Sequence, residues 1–302
     1  MNPAVPTVPR LAFPFLPRRA VLLALIGSAV ACVSCRRSGS APSNAVPQRV
    51  ISLTPNTTEA LFAIGAGESV VGRSRYCDYP SEAQRLPSVG GYVDPSFEAI
   101  LALRPDLVVG ARGPAGRAMV DRLEARGVRT WFPTTESIAE IEAMILGLSD
   151  RLDRRTQGDK VIADLHSSLA SIDRQLVGKP RPRTLLVFGL APVVAAGPGS
   201  FSDEMLQRAG MTNAIAAGSK YPTLGMEAIV AMAPDIIIDA SVAEGHGTTR
   251  ISTDQPGWAA LRAVREGRIA AVEDDFVLRP GPRIALGIAR LASIAHPEIT
   301  LP

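Results

Sequence analysis

Four tyrosines are the side chains whose placement most strongly suggests a binding site. Only 5% of the 302 residues are aromatic, yet Tyr76, Tyr79, Tyr92 and Tyr221 all fall in predicted loops and not in the buried apolar runs. Exposed aromatic rings offer flat, rigid, amphipathic area against which a large planar molecule can pack. The tyrosines therefore predict a cleft lined by loops, although any one of them is also compatible with a ring that packs over its own loop.

Residues for catalysis or metal binding are sparse. His166, His246 and His296 are far apart, and the single Cys-x-x-Cys pair, Cys32 and Cys35, lies near the amino terminus. Metal sites are recognised in a sequence by His and Cys ligands that lie only a few residues apart, and the histidines do not meet this condition. The chain also has no Gly-x-Ser-x-Gly elbow, no P-loop and no Gly-x-Gly-x-x-Gly after a strand. We expect no catalytic residue, no metal and no cofactor, and an enzyme is the rival class to a binding protein.

The amino terminus has the pattern of an export signal. Arg18 and Arg19 precede an apolar run at residues 20–31, which ends in small residues. A basic flank, a short apolar run and small residues before a cleavage site are typical of secretory signals. This run of 12 residues is well short of the ~20 that cross a bilayer as a helix. Residues 1–31 are therefore predicted to be a signal peptide.

The residues at the end of this predicted signal peptide are typical of a lipoprotein. Residues 29–32 resemble a bacterial lipobox, in which Cys32 is lipidated and begins the mature chain, and Cys35 is the second candidate. Pro17 replaces the Ser or Thr that usually precedes the arginine pair of twin-arginine signals, so Sec export is favoured. We expect a periplasmic protein, anchored to a bacterial membrane by lipid, with residues 32–47 as a flexible tether.

The charge balance disfavours a nucleic-acid partner. The whole chain has 32 Lys and Arg against 29 Asp and Glu. Residues 1–31 contain three arginines and no acid, so the remainder has 29 basic and 29 acidic side chains. A protein that binds phosphate backbones needs an excess of positive charge. No nucleic-acid partner is therefore expected.

Short apolar runs alternate with helical patterns along the rest of the chain. Runs this short and this apolar are typical of strands buried on both faces of a parallel sheet. The pattern predicts an α/β fold with central parallel-type sheets flanked by helices. The predicted strands lie at residues 49–53, 107–109, 184–188, 236–238 and 269–272, and two of the helices at 58–64 and 117–126.

An internal repeat indicates two lobes. Residues 97–109 match residues 226–238 at an offset of 129, and each copy reads as a short helix, a proline, an aspartate and a buried strand. Between the copies, residues 155–177 place apolar side chains at three- and four-residue steps, which predicts a helix of about 20 residues, or ~30 Å. We expect two similar lobes, 48–152 and 180–302, joined by one rigid linking helix within 153–179, with the ligand cleft between them.

Several separate motifs carry a resemblance to a known family. From residue 49 to residue 298 the chain is similar to the helical-backbone class of ABC-importer substrate-binding proteins, and within it to the cobalamin-binding branch. The matching stretches are residues 49–61, 76–80, 89–92 and 279–283. The resemblance implies capture of cobalamin, as the transported ligand, and its delivery to a permease dimer with ATPase subunits. Ferric-siderophore and haem binders of the same class are the alternatives, and Arg73, Arg75 and Arg112 would suit the anionic chelates.

The resemblance also implies a set of ligand-binding residues. Tyr79 is expected to brace the Asp-Tyr-Pro turn, and Ala111 stands where a cobalamin binder of this family has tryptophan, which makes that wall less aromatic. Phe188 is equally compatible with the core, and a surface ion pair is the alternative for Asp275 and Arg279. The predicted ligand-binding residues are Tyr76, Tyr92, Phe188, Tyr221, Asp275, Phe276 and Arg279.

Glu98 and Glu227 occupy the same position in the two copies of the repeat. A glutamate in the first turn of a helix complements the helix dipole, which is a structural reason for either residue. By the resemblance, the two acids meet arginines of the permease, one on each half of its dimer. The protein is expected to work as a monomer, held at the membrane by its lipid.

Overall fold

Short helices alternate with buried strands, in agreement with the predicted α/β class. The computed structural model describes residues 45–112, 116–241, 250–255 and 257–299. Cys32, Cys35 and the predicted signal segment lie outside the described residues, and so does His246. None of the helices in the described ranges is both long enough and apolar enough to cross a membrane.

The first sheet consists of four parallel strands. They are β1 (Val50–Ser52), β2 (Val70–Arg73), β3 (Leu107–Val109) and β4 (Arg129–Trp131), in the order β2-β1-β3-β4. The two central strands are completely buried, as expected for apolar runs covered by helices on both faces. The flanking helices are α1 (Pro55–Ala63), α2 (Phe97–Ala102), α3 (Gly116–Glu124) and α4 (Ile138–Arg151). We call this part of the chain the N-terminal half.

The second sheet is mixed. Its strands are β5 (Arg183–Leu190), β6 (Val193–Ala195), β7 (Thr212–Asn213), β8 (Thr223–Leu224), β9 (Ile236–Asp239) and β10 (Ile269–Ala271). The order is β10-β9-β5-β6-β8, with β7 also paired to β5. Strands β5, β9 and β10 are parallel, as predicted, whereas β6 is antiparallel to both β5 and β8. Only two residues join β5 to β6, and so short a connection permits antiparallel pairing alone.

The C-terminal half carries helices α6 (Phe201–Arg208), α7 (Met226–Met232), α8 (Arg262–Arg265) and α9 (Ile284–Ala295). The repeated unit is confirmed, because α2 leads to β3 as α7 leads to β9. Arg104 and Ala233 both adopt a positive φ, at 47° and 45°, directly before a proline. The α conformation is disfavoured before proline, so each copy ends its helix with the same left-handed turn into the strand.

A single long helix, α5 (Arg155–Leu176), stands between the halves in sequence. It ends one residue before the predicted limit, and its 22 residues span about 33 Å. Leu165, Leu169 and Ile172 form its buried face, which packs with α4 and α9. This face belongs to a hydrophobic cluster that includes side chains of both halves. The lobe boundaries at residues 152 and 180 stay predictions.

Five charged side chains hold the segment before α9 against α1. We call Glu59, Asp78, Asp275, Arg279 and Arg283 the charge cluster. Arg283 donates to both oxygens of Glu59, at 2.9 and 2.6 Å, and also contacts Asp275 at 3.1 Å. Arg279 reaches Asp78 and Asp275 at 2.6 Å each, and Glu59 at 3.5 Å. The first two acids belong to the N-terminal half and the other three residues to the C-terminal half.

Glu59 and the two arginines of the charge cluster are shielded from water, whereas the Asp78 side chain is half exposed. Glu59 is only 3% exposed and Arg279 6%. A buried ion must be paired, because its lost hydration is otherwise uncompensated. Asn56 adds a neutral contact at the same junction by donating to the Pro280 carbonyl at 3.4 Å. The relative position of α1 and the segment before α9 is therefore fixed by charge pairing.

We predict that Arg283→Met lowers the free energy of unfolding by about 3–5 kcal/mol, because it leaves the Glu59 carboxylate buried without its main partner. Adding Glu59→Gln should recover a large part of this loss, because the uncompensated charge disappears. Urea unfolding of both single variants and the double variant measures the coupling.

Arg155→Met is the matched control. Arg155 pairs with Asp150 and Asp159, but its side chain is 56% exposed, so its loss should change the free energy of unfolding far less than the loss of Arg283. An Arg283→Met variant that is no less stable than Arg155→Met would show that the charge cluster does not hold the junction.

Candidate functional site

Two adjoining cavities lie where the N-terminal and C-terminal halves meet. The larger has a volume of about 650 Å³ and the smaller about 290 Å³. Both are lined by Leu278 and Pro280, and we call the two adjoining cavities together the cleft. The larger is also lined by Thr54, Pro55, Asn56, Tyr76, Tyr92, Val93, Ala111 and Arg279. The smaller is also lined by Thr135, Glu136, Phe188, Phe201, Ser202 and Tyr221.

The wall from the N-terminal half stands at the carboxyl edge of the first sheet. Thr54 follows β1 and Ala111 follows β3, and the Ala111 N–H donates to the Thr54 hydroxyl at 2.9 Å. Tyr76 and Tyr92 lie in the loops that follow β2. Open α/β sheets usually bind ligands beyond the carboxyl ends of their strands, because the connecting loops converge there. Parallel topology thus gathers residues that are far apart in sequence.

Tyr76 and Tyr92 contact each other on this wall. Their ring centroids are 6.3 Å apart in an edge-to-face arrangement, and each side chain is at least 40% exposed. The Arg75 guanidinium lies 5.4 Å from the Tyr76 ring and is paired with Asp94 at 2.5 Å. Hydrogen bonding to this arginine holds the pKa of the Asp94 carboxyl below its usual range. The pair of rings forms an exposed aromatic surface beside a neutralised cation.

The opposite wall also presents two aromatic rings. Phe188 lies in β5, and its ring centroid is 6.0 Å from that of Tyr221, which precedes β8. The Tyr221 hydroxyl donates to Glu136 at 3.5 Å, and Lys220 pairs with the same carboxylate at 3.2 Å. Burial and then the Glu136 charge raise the pKa of Tyr221 to about 12. The hydroxyl therefore stays protonated and remains a hydrogen-bond donor at physiological pH.

Arg279 connects the cleft to the charge cluster. It lines the larger cavity, yet it is buried beneath the carboxylates that surround it. Burial alone would raise the pKa of the Asp78 carboxyl, but the hydrogen bond and charge of Arg279 hold it below its ordinary value. The Asp275–Arg279 pair is thus not the surface ion pair that the sequence left open as an alternative. Arg279 is buried and the Asp275 side chain is 30% exposed, so the pair is partly buried.

The structure brings together five of the seven predicted ligand-binding residues. Tyr76, Tyr92 and Arg279 line the larger cavity, and Phe188 and Tyr221 line the smaller. The other two residues line neither of these cavities. Asp275 lies behind Arg279 in the charge cluster, and Phe276 is half-buried against the hydrophobic core. Tyr79 also lies outside both cavities and stacks on Arg283, whose guanidinium is 3.9 Å from its ring centroid.

Several lining residues were not predicted from the sequence. Leu278 and Pro280 flank Arg279, so the motif at residues 279–283 marks their neighbourhood. Thr54, Pro55 and Asn56 likewise fall within the matching stretch at 49–61. Thr135 and Glu136 lie before α4, outside every stretch that matches the family. Only the folded chain brings them to the cleft, so no pattern in the sequence marked them.

The repeat extends from the helices to the aromatic rings. Tyr92 stands six residues before Glu98, and Tyr221 stands six residues before Glu227. Both glutamates lie exposed in the first turn of their helices, α2 and α7. Each half therefore presents one cleft tyrosine and one exposed acid at matched positions.

The described histidines lie outside both cavities. His166 contacts Glu142 at 2.8 Å on an exposed face of α5, and His296 is buried at the end of α9. Within the described ranges, no three His, Cys, Asp or Glu side chains converge in a way that could hold a metal ion.

Known sequences resemble this chain over most of its length. The vitamin B12-binding protein of Salmonella paratyphi A is 31% identical over 247 residues, which cover 81% of this chain and 89% of that protein. An uncharacterized ABC transporter substrate-binding lipoprotein of Bacillus subtilis, YvrC, is 25% identical over 260 residues, or 83% of this chain and 81% of its own.

Solved structures share the fold. A periplasmic heme binding protein from Pseudomonas aeruginosa superimposes with a TM-score of 0.76 at 27% identity, covering 84% of this chain and 94% of that one. The periplasmic vitamin B12 binding protein BtuF of Vibrio cholerae gives 0.72 at 25% identity, covering 83% and 97%. The sequence profile described as periplasmic binding protein matches residues 50–275. The chain therefore belongs to the periplasmic binding protein family.

Proposed function

We propose that this protein captures cobalamin, or a closely related corrinoid, in the cleft and delivers it to an ABC importer. The observation that carries the proposal is the placement of aromatic rings from both halves in the two adjoining cavities. The exposed Tyr76 and Tyr92 line the larger cavity, and the exposed Tyr221 and the half-buried Phe188 line the smaller. A corrin is a large, nearly planar ring that flat aromatic side chains can contact from two sides. The relatives named as vitamin B12-binding proteins support the same ligand.

The cleft is built for binding and not for turnover. Its volume lies in the range of small-molecule sites, which are concave, mostly apolar and provided with a few polar groups. Its polar lining groups are hydroxyls, the Asn56 amide, the Glu136 carboxylate and the buried Arg279 guanidinium. We therefore propose non-covalent, one-to-one binding without a cofactor.

Haem is the second candidate ligand. The structural similarity to a heme binding protein and the exposed tyrosine hydroxyls, which can ligate ferric iron, favour it. A ferric siderophore is less well supported, because two of the arginines that would suit an anionic chelate already have partners in the protein. Arg75 is paired with Asp94, and Arg73 donates to the Ser74 and Gln84 carbonyls at 2.9 and 3.0 Å.

We expect cyanocobalamin to bind with a stoichiometry of one, as measured by titration calorimetry. Tyr92→Ala and Tyr221→Ala should each weaken binding by about 1–3 kcal/mol, because each removes a large apolar contact with the ligand. These losses correspond to about 5-fold to 150-fold in the dissociation constant.

Leu286→Ala is the control, since Leu286 is an apolar side chain of similar exposure that lies on α9 outside both cavities. It should leave the affinity unchanged. If cyanocobalamin gives no binding heat and the protein shifts the haemin spectrum in a titration, the ligand is haem and not cobalamin. Unchanged affinity in both tyrosine variants would show that these rings do not form the cleft walls for the ligand.

Delivery is proposed to depend on Glu98 and Glu227. The two acids are exposed, and each follows a cleft tyrosine by the same number of residues, so a two-fold related partner could contact both in the same way. We propose that they pair with arginines on the two halves of a permease dimer, whose ATPase subunits drive transport. Charge pairs at the rim of an interface guide encounter and register more than they add affinity.

The double variant Glu98→Ala/Glu227→Ala should retain its affinity for cyanocobalamin but support less uptake of the labelled vitamin in cells. The difference from the natural protein should shrink as ionic strength rises, because salt screens the charge pairs that the natural protein makes. Glu82→Ala/Glu266→Ala is the matched control, because it removes one exposed acid from each half elsewhere on the surface. Normal uptake in the first double variant, or loss of cobalamin binding by it, would contradict the docking role.

We propose that Cys32 carries the lipid that anchors the protein at a bacterial membrane, with the described domain facing a periplasm-like compartment. The lipobox pattern at residues 29–32 supports Cys32 as the lipidation site. The Bacillus subtilis relative that is named as a lipoprotein supports lipid anchoring in general. Two or three acyl chains give stable attachment where one does not.

Cys32→Ser should therefore move the protein from the membrane to the soluble fraction, and Cys35→Ser should not. Immunoblots of the two fractions measure the change. Release by Cys35→Ser in place of Cys32→Ser would assign the lipid to the later cysteine.

A further inference from the structure

The turn that carries Tyr92 lies outside the strands of the first sheet. This turn, residues 90–95, begins at Gly90 with a φ of 101° and ends where the Ser96 N–H donates to the Val89 carbonyl at 2.8 Å. We call it the Tyr92 turn. A segment outside a sheet is not fixed by a ladder of hydrogen bonds to neighbouring strands. Other contacts must therefore hold the Tyr92 ring, which is 40% exposed, in its place at the cleft.

Tyr221 is the counterpart of Tyr92 in the internal repeat, but its backbone is held by β-sheet neighbours. Lys220 and Pro222, on either side of Tyr221, each accept a backbone N–H from β6 or from the residues that directly follow it, at 2.8 and 3.2 Å. Thr223 lies in β8 and pairs with β6. The C-terminal half thus positions its cleft tyrosine by strand pairing, which the N-terminal half lacks at the matching place.

An ion pair takes this part in the N-terminal half. Asp94 belongs to the Tyr92 turn, and the Arg75 Nη2 donates to both of its oxygens, at 2.5 and 2.6 Å. The Arg75 backbone N–H also donates to the Gly90 carbonyl at 2.8 Å. A Cβ at Gly91 would lie only 2.6 Å from the Arg75 guanidinium, so the close approach of the two side chains requires glycine there. We call the pair of Arg75 and Asp94 the clamp.

The loop that supplies Arg75 is itself anchored in the interior. Ser74 and Cys77 are fully buried, and the Cys77 N–H donates to the Ser74 carbonyl at 3.1 Å. Tyr76 lies between them, and the Arg75 guanidinium is 5.4 Å from its ring centroid, within the range of cation–π attraction. The clamp therefore connects an anchored loop, which carries Tyr76, to the turn that carries Tyr92.

We propose that Arg75 and Asp94 are positioning residues for ligand binding. The clamp fixes the Tyr92 turn against the loop of Tyr76 before the ligand arrives, so that the two rings meet the ligand as one preformed surface. Arg75 and Asp94 are not among the residues that line the two cavities, whereas both rings line the larger one. Preorganisation raises affinity because the free protein has already lost the freedom that binding would otherwise remove. The inference rests on the proposed function and extends it to how the larger cavity is prepared.

Arg75→Met and Asp94→Asn should each weaken the binding of cyanocobalamin about three-fold to ten-fold in titration calorimetry, because the rings must then be ordered when the ligand binds. The double variant should bind no more weakly than the weaker single variant, because both changes remove the same contact. Thermal unfolding should be nearly unchanged, since the two side chains are 48% and 59% exposed. Arg155→Met is the matched control, because it breaks an exposed Arg–Asp pair outside both cavities, and it should leave the affinity unchanged.

The Tyr92→Ala background distinguishes positioning from a direct contact with the ligand. Without the Tyr92 ring, Arg75→Met should change the affinity by less than about two-fold, because the clamp has no ring left to position on this turn. A loss as large as in the natural protein would show that Arg75 acts on the ligand itself, and it would overturn the inference. Natural affinity in both clamp variants would overturn it as well.

A measurement on the ligand-free protein separates this inference from the proposed function. Fluorine NMR of protein labelled with fluorotyrosine reports the four tyrosines individually, once Tyr→Phe variants have assigned them. Arg75→Met and Asp94→Asn should shift and narrow the Tyr92 resonance, because its turn moves more freely, and leave that of Tyr221 unchanged. If cyanocobalamin fails to bind and haemin binds, the corrinoid proposal is wrong, and the affinities of the clamp variants are compared with haemin. A Tyr92 resonance that neither variant changes would contradict the clamp, whichever ligand binds.

Discussion

The ion pairs between Glu59 and the two arginines Arg279 and Arg283 are the interaction on which the rest of this structure depends. Glu59 belongs to the first helix of the N-terminal half, and the arginines to the segment before the last helix, more than 200 residues later. A carboxylate buried to this degree is tolerable only with its partners in place. The pairing therefore fixes the polypeptide that forms the floor of the cleft, including Leu278 and Pro280.

The cleft combines a fixed floor with two exposed walls. Its floor is a polar junction of paired charges, and each half contributes a pair of aromatic rings. Tyr76 and Tyr92 lie in loops, whereas Phe188 lies in β5 and contacts Tyr221. The Glu136 contact with Lys220 and Tyr221 adds a second bridge between the halves at the rim of the smaller cavity. Rigid aromatic area lowers the entropic cost of binding because few side-chain rotamers are lost.

The internal repeat places matched residues in the two halves that form this cleft. Tyr92 and Tyr221 are related by the same offset as Glu98 and Glu227 and as the left-handed residues Arg104 and Ala233. One structural unit thus places an aromatic ring, an exposed acid and a buried strand in the same order in both halves. The match between the halves does not extend to the floor, because the charge cluster is formed by different elements of the two halves.

The sequence by itself determined the α/β class, the central strands, the repeat and the long helix, because apolar periodicity and proline stops are local properties of the chain. It also marked the tyrosines, whose loop positions follow from the same patterns. It did not reveal the mixed second sheet, since β6 and β8 are too short for their pairing to be read locally. Only the tertiary structure placed Phe276 against the core and buried Arg279 together with Glu59, because burial and ion pairing between residues 200 positions apart arise only when the chain is folded.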